Sequence, residues 1–137
     1  MPSSLDMVNG LVNSLADEIR RDLAPVQSRR DIRVMERRKD LRKEDRRAFR
    51  DAVKATDENV TAACDGFDAL ETTNPAHVSV LFNIGLCRES AGDLEGALDY
   101  YARALEVDPG RDYPTDGLRR VRSRMRAEQD LAKRTAL

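Results

Sequence analysis

The sequence is poor in the residues that build catalytic and metal sites. It contains one histidine, His77, and two cysteines, Cys64 and Cys87. This supply is too small for a histidine cluster, a four-cysteine zinc site or a disulfide framework. We expect both cysteines to be packing thiols within helices and His77 to be a surface residue at a helix N-terminus. The seven glycines are scattered and form no phosphate-binding loop. We therefore expect no catalysis, no metal site and no cofactor.

Aromatic residues and long apolar runs are also scarce. The chain has three Phe, three Tyr and no Trp, so its core must be built from Leu, Ala, Val and Ile. Such a composition suits packed helices better than a β-sandwich. No apolar run approaches the roughly 18 residues of a membrane span, and the first residues lack the pattern of a signal peptide. We therefore predict an all-α protein in the cytoplasm.

Charge is balanced overall, at a formal net charge of −1, but it is unevenly distributed. The net charge is −2 over residues 1–28, +6 over 29–50, −9 over 51–110 and +4 over 111–137. In the interpretation that we favour, the flanks and the acidic middle neutralise one another. In the alternative, a basic flank contacts an acidic protein, a nucleic acid or an anionic membrane.

The first basic flank contains eight closely spaced cations: Arg37, Arg38, Lys39, Arg42, Lys43, Arg46, Arg47 and Arg50. Acidic residues are interleaved with these cations, and aromatic residues that could stack on bases are missing. We expect residues 35–50 to form a helix with a break near Lys39–Asp40. Its charged side chains would pair with one another in solvent. Nucleic-acid binding is therefore the less favoured interpretation.

The spacing of apolar residues predicts further helices over residues 3–24, 59–72, 76–91, 94–107 and 117–134. The first of these is amphipathic and ends before Pro25. Gly92 is placed for the left-handed turn between two helices. Asp116 is placed to cap the last helix.

One segment carries a recognisable signature, at Leu81, Ile84, Gly85, Ala97, Tyr101, Ala104 and Pro109. With these residues and the turn at Gly92–Asp93, residues 78–111 resemble a tetratricopeptide repeat, a 34-residue helix–turn–helix unit. Leu81 replaces the family's large aromatic residue, and Arg88 replaces a tyrosine. The resemblance implies that Gly85 and Ala97 face each other across the hairpin. It also implies that Tyr101 packs against the next unit.

A degenerate repeat precedes this one. A step back of 34 residues from Ala97, Tyr101 and Pro109 reaches Ala63, Phe67 and Pro75. The first helix of this degenerate repeat fits the family's pattern when it is moved by two residues. This shift requires a longer turn at residues 56–59. We expect an N-terminal helix and basic connector over 1–41, two repeats over 42–111 and a capping helix over 112–137.

The resemblance also implies a function and a site. In this family the first helix of each unit lines a concave groove that receives a peptide or a helix. The corresponding positions here are Ser79, Phe82, Asn83, Leu86 and Glu89. Phe82 and Leu86 would form an exposed apolar pair, and Asn83 would bind the partner's main chain. Alternatively, helix 3–24 or the C-terminal helix fills the groove.

The predicted function is non-catalytic protein–protein interaction or scaffolding, with another protein or a peptide as the partner. Two alternatives remain open. One is a C-terminal part or accessory subunit of a bacterial envelope assembly, because some bacterial envelope proteins place tetratricopeptide repeats after a small α/β domain. That alternative implies a periplasmic location. The other is a nucleic-acid-associated helical protein that uses its basic flanks.

Overall fold

The computed structural model describes residues 33–135, so the predicted helix 3–24 lies outside the described residues. From Val34 onward these residues belong to one compact unit. Its helices are α1 (Arg46–Ala55), α2 (Val60–Thr73), α3 (Val78–Ser90), α4 (Leu94–Val107) and α5 (Asp112–Thr135). Residues 33–135 contain no strand. The predicted all-α fold is confirmed.

The helices form two successive hairpins, α1/α2 and α3/α4, followed by α5. Each helix packs against the next one in the chain, and α3 also touches α5. Contacts are therefore made chiefly between neighbours, as in a helical repeat array. Asn59 caps α2 by accepting a hydrogen bond from the Ala62 N–H (3.0 Å), and Asp93 caps α4 in the same way from the Gly96 N–H (3.0 Å).

The two hairpins repeat one pattern with a small offset. Helices α2 and α4 begin 34 residues apart and have 14 residues each. Helices α1 and α3 begin 32 residues apart, which is the predicted shift of two residues. Phe49 and Leu81 each stand fourth in their helix, and both are buried. The predicted turn at Gly92 has a φ of 86°, which glycine adopts without strain.

Two predicted helix boundaries are wrong. Residues 33–42 are not helical, and a short 3₁₀ turn (Lys43–Asp45) leads into α1. Asp40 has a φ of 73°, which no α-helix contains. At the other end α5 begins at Asp112, so Asp116 lies inside the helix and pairs with Arg119 (3.0 Å) instead of capping it. Pro114 permits the earlier start. The N–H groups of a first helical turn form no hydrogen bonds within the helix, so the N–H that proline lacks is not needed there.

The cysteines are joined, which corrects the prediction of two packing thiols. Cys64 on α2 and Cys87 on α3 form a disulfide, with Cα atoms 5.8 Å apart and a separation of 23 positions in sequence. Both are partly buried. The bond connects the first hairpin to the second, because α2 and α3 pack side by side. Two isolated cysteines on different predicted helices gave no local signal of this proximity.

Candidate functional site

Residues 34–42, which we call segment 34–42, lie along α3 and are held there through their main chain. The buried side chain of Asn83 makes two hydrogen bonds with Met35. Its amide oxygen accepts from the Met35 N–H (2.7 Å), and its amide nitrogen donates to the Met35 carbonyl (3.0 Å). An amide can satisfy both main-chain groups of one residue because it carries a donor and an acceptor. The Asn83 side chain thus binds the main chain of Met35, and these two hydrogen bonds do not depend on the side chain of residue 35.

Three further side chains continue this recognition of the main chain. The Ser79 hydroxyl donates to the Arg37 carbonyl (2.9 Å), and His77 Nε2 donates to the Lys39 carbonyl (2.7 Å). Asn74 Oδ1 accepts from the N–H of residue 42 (3.0 Å). All four recognising residues are buried. We call them the polar row: Asn74, His77, Ser79 and Asn83.

Segment 34–42 runs in the direction opposite to α3, and its spacing matches that of the helix. Asn83 and Ser79 are four residues apart, which is about 6 Å of helix rise. Their partners Met35 and Arg37 are two residues apart, which is about 6.6 Å in an extended chain. The next contact, at Lys39, follows after two more residues. Asn83, Ser79 and His77 therefore bind alternate residues of the segment, and Asn74 binds it after the turn at Asp40.

Among the apolar residues at the segment's ends, Met35 and Leu41 are buried and Val34 is partly buried, whereas the side chains between Met35 and Leu41 face solvent. Met35 is 6% exposed and joins the apolar cluster of Phe82 and Tyr101. Leu41 is 4% exposed and joins the cluster of Phe49 and Phe67. The intervening residues 36–40 are exposed. Apolar side chains thus anchor the segment at two points six residues apart, and the main chain is bound between them.

His77 belongs to the interior, which corrects its predicted position at the surface. It is 5% exposed, and its Nδ1 accepts from the Val80 N–H (3.4 Å), which caps α3. With Nε2 donating to Lys39, this arrangement requires the neutral ring. Burial lowers the pKa of His77, the Lys39 carbonyl and Asp40 oppose that shift, and Arg37 adds to it. The neutral form is therefore favoured.

The expected exposed apolar pair is not at the surface. Phe82 is 2% exposed, and its ring lies against those of Tyr101 (centroids 5.4 Å apart) and Tyr113 (5.5 Å). Leu86 is partly buried against the same cluster. Tyr113 at the start of α5 covers the Phe82 ring, and Met35 belongs to the same apolar cluster as Phe82. A partner can reach Phe82 only after this cover has moved.

Glu89, the last predicted site residue, connects three helices. Its carboxylate forms a pair of hydrogen bonds with the Arg120 guanidinium on α5, both 2.7 Å long. It also accepts from the Tyr101 hydroxyl (2.6 Å). Burial alone would raise the pKa of Glu89, but Arg120 and Tyr101 outweigh it and hold this pKa below its usual range. Glu89 therefore fastens α5 to the second hairpin.

The close contact predicted between Gly85 and Ala97 involves a different partner. The ring of Tyr101 lies against Gly85 on α3 and against Gly117 on α5. A Cβ atom would lie 2.5 Å from the ring at Gly85 and 2.7 Å from it at Gly117. Ala97 is buried in the same cluster. Both positions thus favour glycine, because a Cβ atom at either one would overlap the Tyr101 ring.

The basic flank is not a helix of paired charges. Among its eight cations, Arg42 pairs with Glu44 (3.0 Å). Asp45 instead accepts hydrogen bonds from Thr73 (2.6 Å) and Asn74 (2.8 Å). Within residues 33–135 no ion pair forms at the remaining seven cations, which are all exposed: Arg37, Arg38, Lys39, Lys43, Arg46, Arg47 and Arg50.

A family model described as the tetratricopeptide repeat matches residues 78–111, which contain α3 and α4. Residues 78–111 are a tetratricopeptide repeat. Neither the curated proteins nor the solved structures that were compared with the chain gave a significant match. The tetratricopeptide repeat indicates a role in protein–protein interaction or scaffolding. None of the helices of residues 33–135 has the length and hydropathy that crossing a membrane requires.

Half of the polar row could be named from the sequence. Ser79 and Asn83 were predicted to line the groove, and in the structure both bind main-chain groups of segment 34–42. The prediction missed Asn74 and His77, which precede the first helix of the repeat and have no signature position. The sole signal was a polar residue on each side of Pro75–Ala76, just before a helix whose first turn contains Ser79.

Proposed function

We propose that this chain is a non-catalytic protein-interaction module whose polar row binds an extended polypeptide through its main chain. The observation that carries the proposal is the pair of hydrogen bonds between Asn83 and Met35, 2.7 and 3.0 Å long. Main-chain bonds supply affinity in strand-like recognition, and side-chain pockets supply specificity. The partner is another protein or a peptide.

The predicted site residues divide into three roles under this proposal. Ser79 and Asn83 bind the main chain of the ligand. Phe82 and Leu86 line the apolar site that receives a side chain such as that of Met35. Glu89 does not touch the ligand and holds α5 in place through Arg120.

The proposal is tested with a variant of the full chain in which residues 34–41 are replaced by glycine and serine. A fluorescently labelled synthetic peptide of residues 33–42 is titrated into it, and fluorescence anisotropy is measured. We expect saturable binding, because the variant lacks both apolar anchors, Met35 and Leu41, so its own flexible chain holds the polar row only weakly. Adding Asn83→Leu should weaken binding at least tenfold, because two hydrogen bonds are lost.

A matched control is Ser90→Ala, which changes an exposed polar residue at the end of α3 and should leave peptide affinity within twofold. Circular dichroism verifies that every variant keeps its helical content. If the glycine–serine variant is folded and shows no saturable binding, the polar row is not a peptide site.

A second candidate function is the binding of a polyanion, and the seven exposed cations that form no ion pair within residues 33–135 favour it. Arg46, Arg47 and Arg50 lie in the first two turns of α1 and are exposed. Changing these three to Gln should lower the salt concentration that elutes the protein from heparin. The same change at Arg119, Arg122 and Arg126 on α5 removes equal charge and is the control. Equal shifts in both variants would refute a dedicated surface on α1.

For the compartment, we propose an oxidising environment, as in the alternative of an exported envelope assembly. The disulfide between Cys64 and Cys87 supports this proposal, because disulfides persist in exported proteins and are rare in the cytosol. Thiol alkylation in intact cells followed by mass spectrometry tests it. Both cysteines should resist alkylation until a reductant is added. Alkylation without reductant would favour the cytoplasm.

A further inference from the structure

We infer that segment 34–42 is an exchangeable internal ligand, which occupies the polar row until a partner segment of the same chemistry displaces it. This inference rests on the function proposed above and adds two things to it. It names the class of partner, a chain that is extended at its first anchor, turns before its second anchor and carries these two apolar side chains six residues apart. It also makes partner binding conditional on release of the chain's own segment.

The chemistry of the partner follows from what the protein contacts in its own segment. Met35 and Leu41 are buried in separate apolar clusters. Between them, Ser79 and His77 bind only the carbonyl groups of Arg37 and Lys39. The side chains of these intervening residues are exposed. A ligand therefore needs two apolar residues at the right separation and free carbonyl groups at the two positions between them that Ser79 and His77 bind, where the side chains can differ.

The segment is attached in a way that allows local release. It is not helical, a turn hydrogen bond joins its Leu41 N–H to its Arg38 carbonyl (3.1 Å), and two of its residues are buried, Met35 and Leu41. Segments with few buried apolar contacts open at lower free energy than the core. Asp40 holds a left-handed conformation, at a φ of 73°, next to the anchor Leu41. Release would relax this residue, because a non-glycine residue pays a cost there.

The segment ends where α1 is already secured by other contacts. Asp45, at the start of α1, is bonded to Thr73 and Asn74, and Phe49 is buried against Phe67 (ring centroids 5.9 Å apart). Residues 34–41 can therefore detach while α1 stays packed on α2. The exposed groups of the polar row would then be hydrated by water.

Tethering makes the segment a strong competitor. A short covalent link gives it an effective concentration in the millimolar range at its own site. The apparent affinity for a partner is reduced by the fraction of molecules in which the site is open. Weakening an anchor of the segment should therefore strengthen the binding of an external peptide.

Native-state hydrogen exchange measures the opening directly. The Met35 N–H is bonded to Asn83, and the Tyr101 N–H lies within α4 in the core. We expect the Met35 amide to exchange at least tenfold faster than the Tyr101 amide after correction for intrinsic rates. Equal protection of both amides would mean that the segment leaves only on global unfolding, and this would overturn the inference.

Competition by the labelled peptide of residues 33–42 tests the same point with the full chain. The unaltered protein should bind this peptide at least tenfold more weakly than the glycine–serine variant does. Met35→Ala should bind it more tightly than the unaltered protein, because the internal anchor is shortened. Arg38→Ala, an exposed change in the same segment, is the matched control and should stay within twofold of the unaltered protein.

The outcomes separate the two proposals. Equal affinity in the unaltered protein and the glycine–serine variant would overturn the internal ligand and leave the peptide site intact. Absence of binding in the glycine–serine variant would overturn both. A peptide with Met35→Asp and Leu41→Asp should lose at least tenfold in affinity for the glycine–serine variant. Unchanged affinity of that peptide would refute the proposed pair of apolar anchors.

Discussion

At the scale of single residues, Tyr101 joins three helices. Its ring fills the space between Gly85 and Gly117 and lies against Phe82, and its hydroxyl donates to Glu89. Burial, with the neighbouring Glu89 carboxylate, raises the pKa of Tyr101 above its usual range. The hydroxyl therefore stays protonated and keeps donating. One side chain thus supplies both the apolar filling and a polar contact of the second hairpin.

The contact at Gly85 predicts the effect of adding one methyl group. Gly85→Ala should lower the free energy of unfolding by about 1–3 kcal/mol, because the new Cβ atom would overlap the Tyr101 ring. Alanine is otherwise the better helix former, so the sign of the effect is diagnostic. Urea unfolding followed by circular dichroism measures it. In a Tyr101→Leu background the same change should cost less, and an undiminished cost would contradict the overlap.

The buried His77 predicts a loss of stability in mild acid. Its pKa in the folded protein lies below that of the unfolded chain, about 6.5. As the pH falls below this value, the unfolded chain takes up the proton first, and stability declines. Protonation would also place a hydrogen on His77 Nδ1. This atom could then no longer accept the hydrogen bond from the Val80 N–H. Urea midpoints at pH 7.5 and pH 5.0 should differ more in the unaltered protein than in His77→Asn, and equal differences would exclude His77 as the cause.

At the scale of helices, the two hairpins are connected by packing of α2 on α3 and by the bond from Cys64 to Cys87. Other contacts join helices that are not successive: α3 touches α5, and Tyr100 and Arg103 on α4 bind Glu71 on α2. The disulfide therefore reinforces the junction between two similar units and leaves the inside of each hairpin unchanged.

Removing the disulfide should weaken this junction. The double variant Cys64→Ser, Cys87→Ser should unfold at lower urea, with a loss of about 2–4 kcal/mol typical of a structural disulfide. Adding a reductant to the unaltered protein should lower its stability to that of the double variant. The reductant should leave the double variant unchanged, which provides the control. A reductant effect of the same size on the double variant would show that the disulfide is not responsible.

The sequence predicted α2, α3 and α4 within two residues at their ends, because their apolar spacing, caps and breakers are local signals. It did not predict segment 34–42. The hydrogen bonds that hold this segment join residues 48, 42 and 38 positions apart. A local pattern of charged residues without glycine or proline favoured a helix there. The main-chain groups of the segment are instead satisfied by distant side chains, which no periodicity reveals.

At the scale of the whole molecule, two apolar clusters follow one another along the array. One contains Phe49 and Phe67, the other contains Tyr101 and Val121, and Tyr100 is packed against both.

The basic residues follow no such division. Arg120 from the C-terminal flank pairs with Glu89 of the acidic middle, as the favoured interpretation of the charges expected. Within residues 33–135, seven cations of the N-terminal flank form no ion pair.

The shared contacts of the two clusters predict a single cooperative unfolding transition. Phe49→Ala on α1 should destabilise the protein by about 3–5 kcal/mol. Val121→Ala on α5 should have a smaller effect, because it removes fewer atoms. Both changes should shift the same urea transition, with coincident midpoints for far-ultraviolet circular dichroism and tyrosine fluorescence. Separate transitions for the two probes would show that the clusters unfold independently.

The disulfide also has a mechanical consequence. It closes a loop between residues 23 positions apart, and an extended residue spans at most about 3.5 Å. A force applied to the two ends of the molecule can therefore never extend the chain between Cys64 and Cys87 while the bond is intact. A fully extended oxidised molecule would be roughly 80 Å shorter than a reduced one.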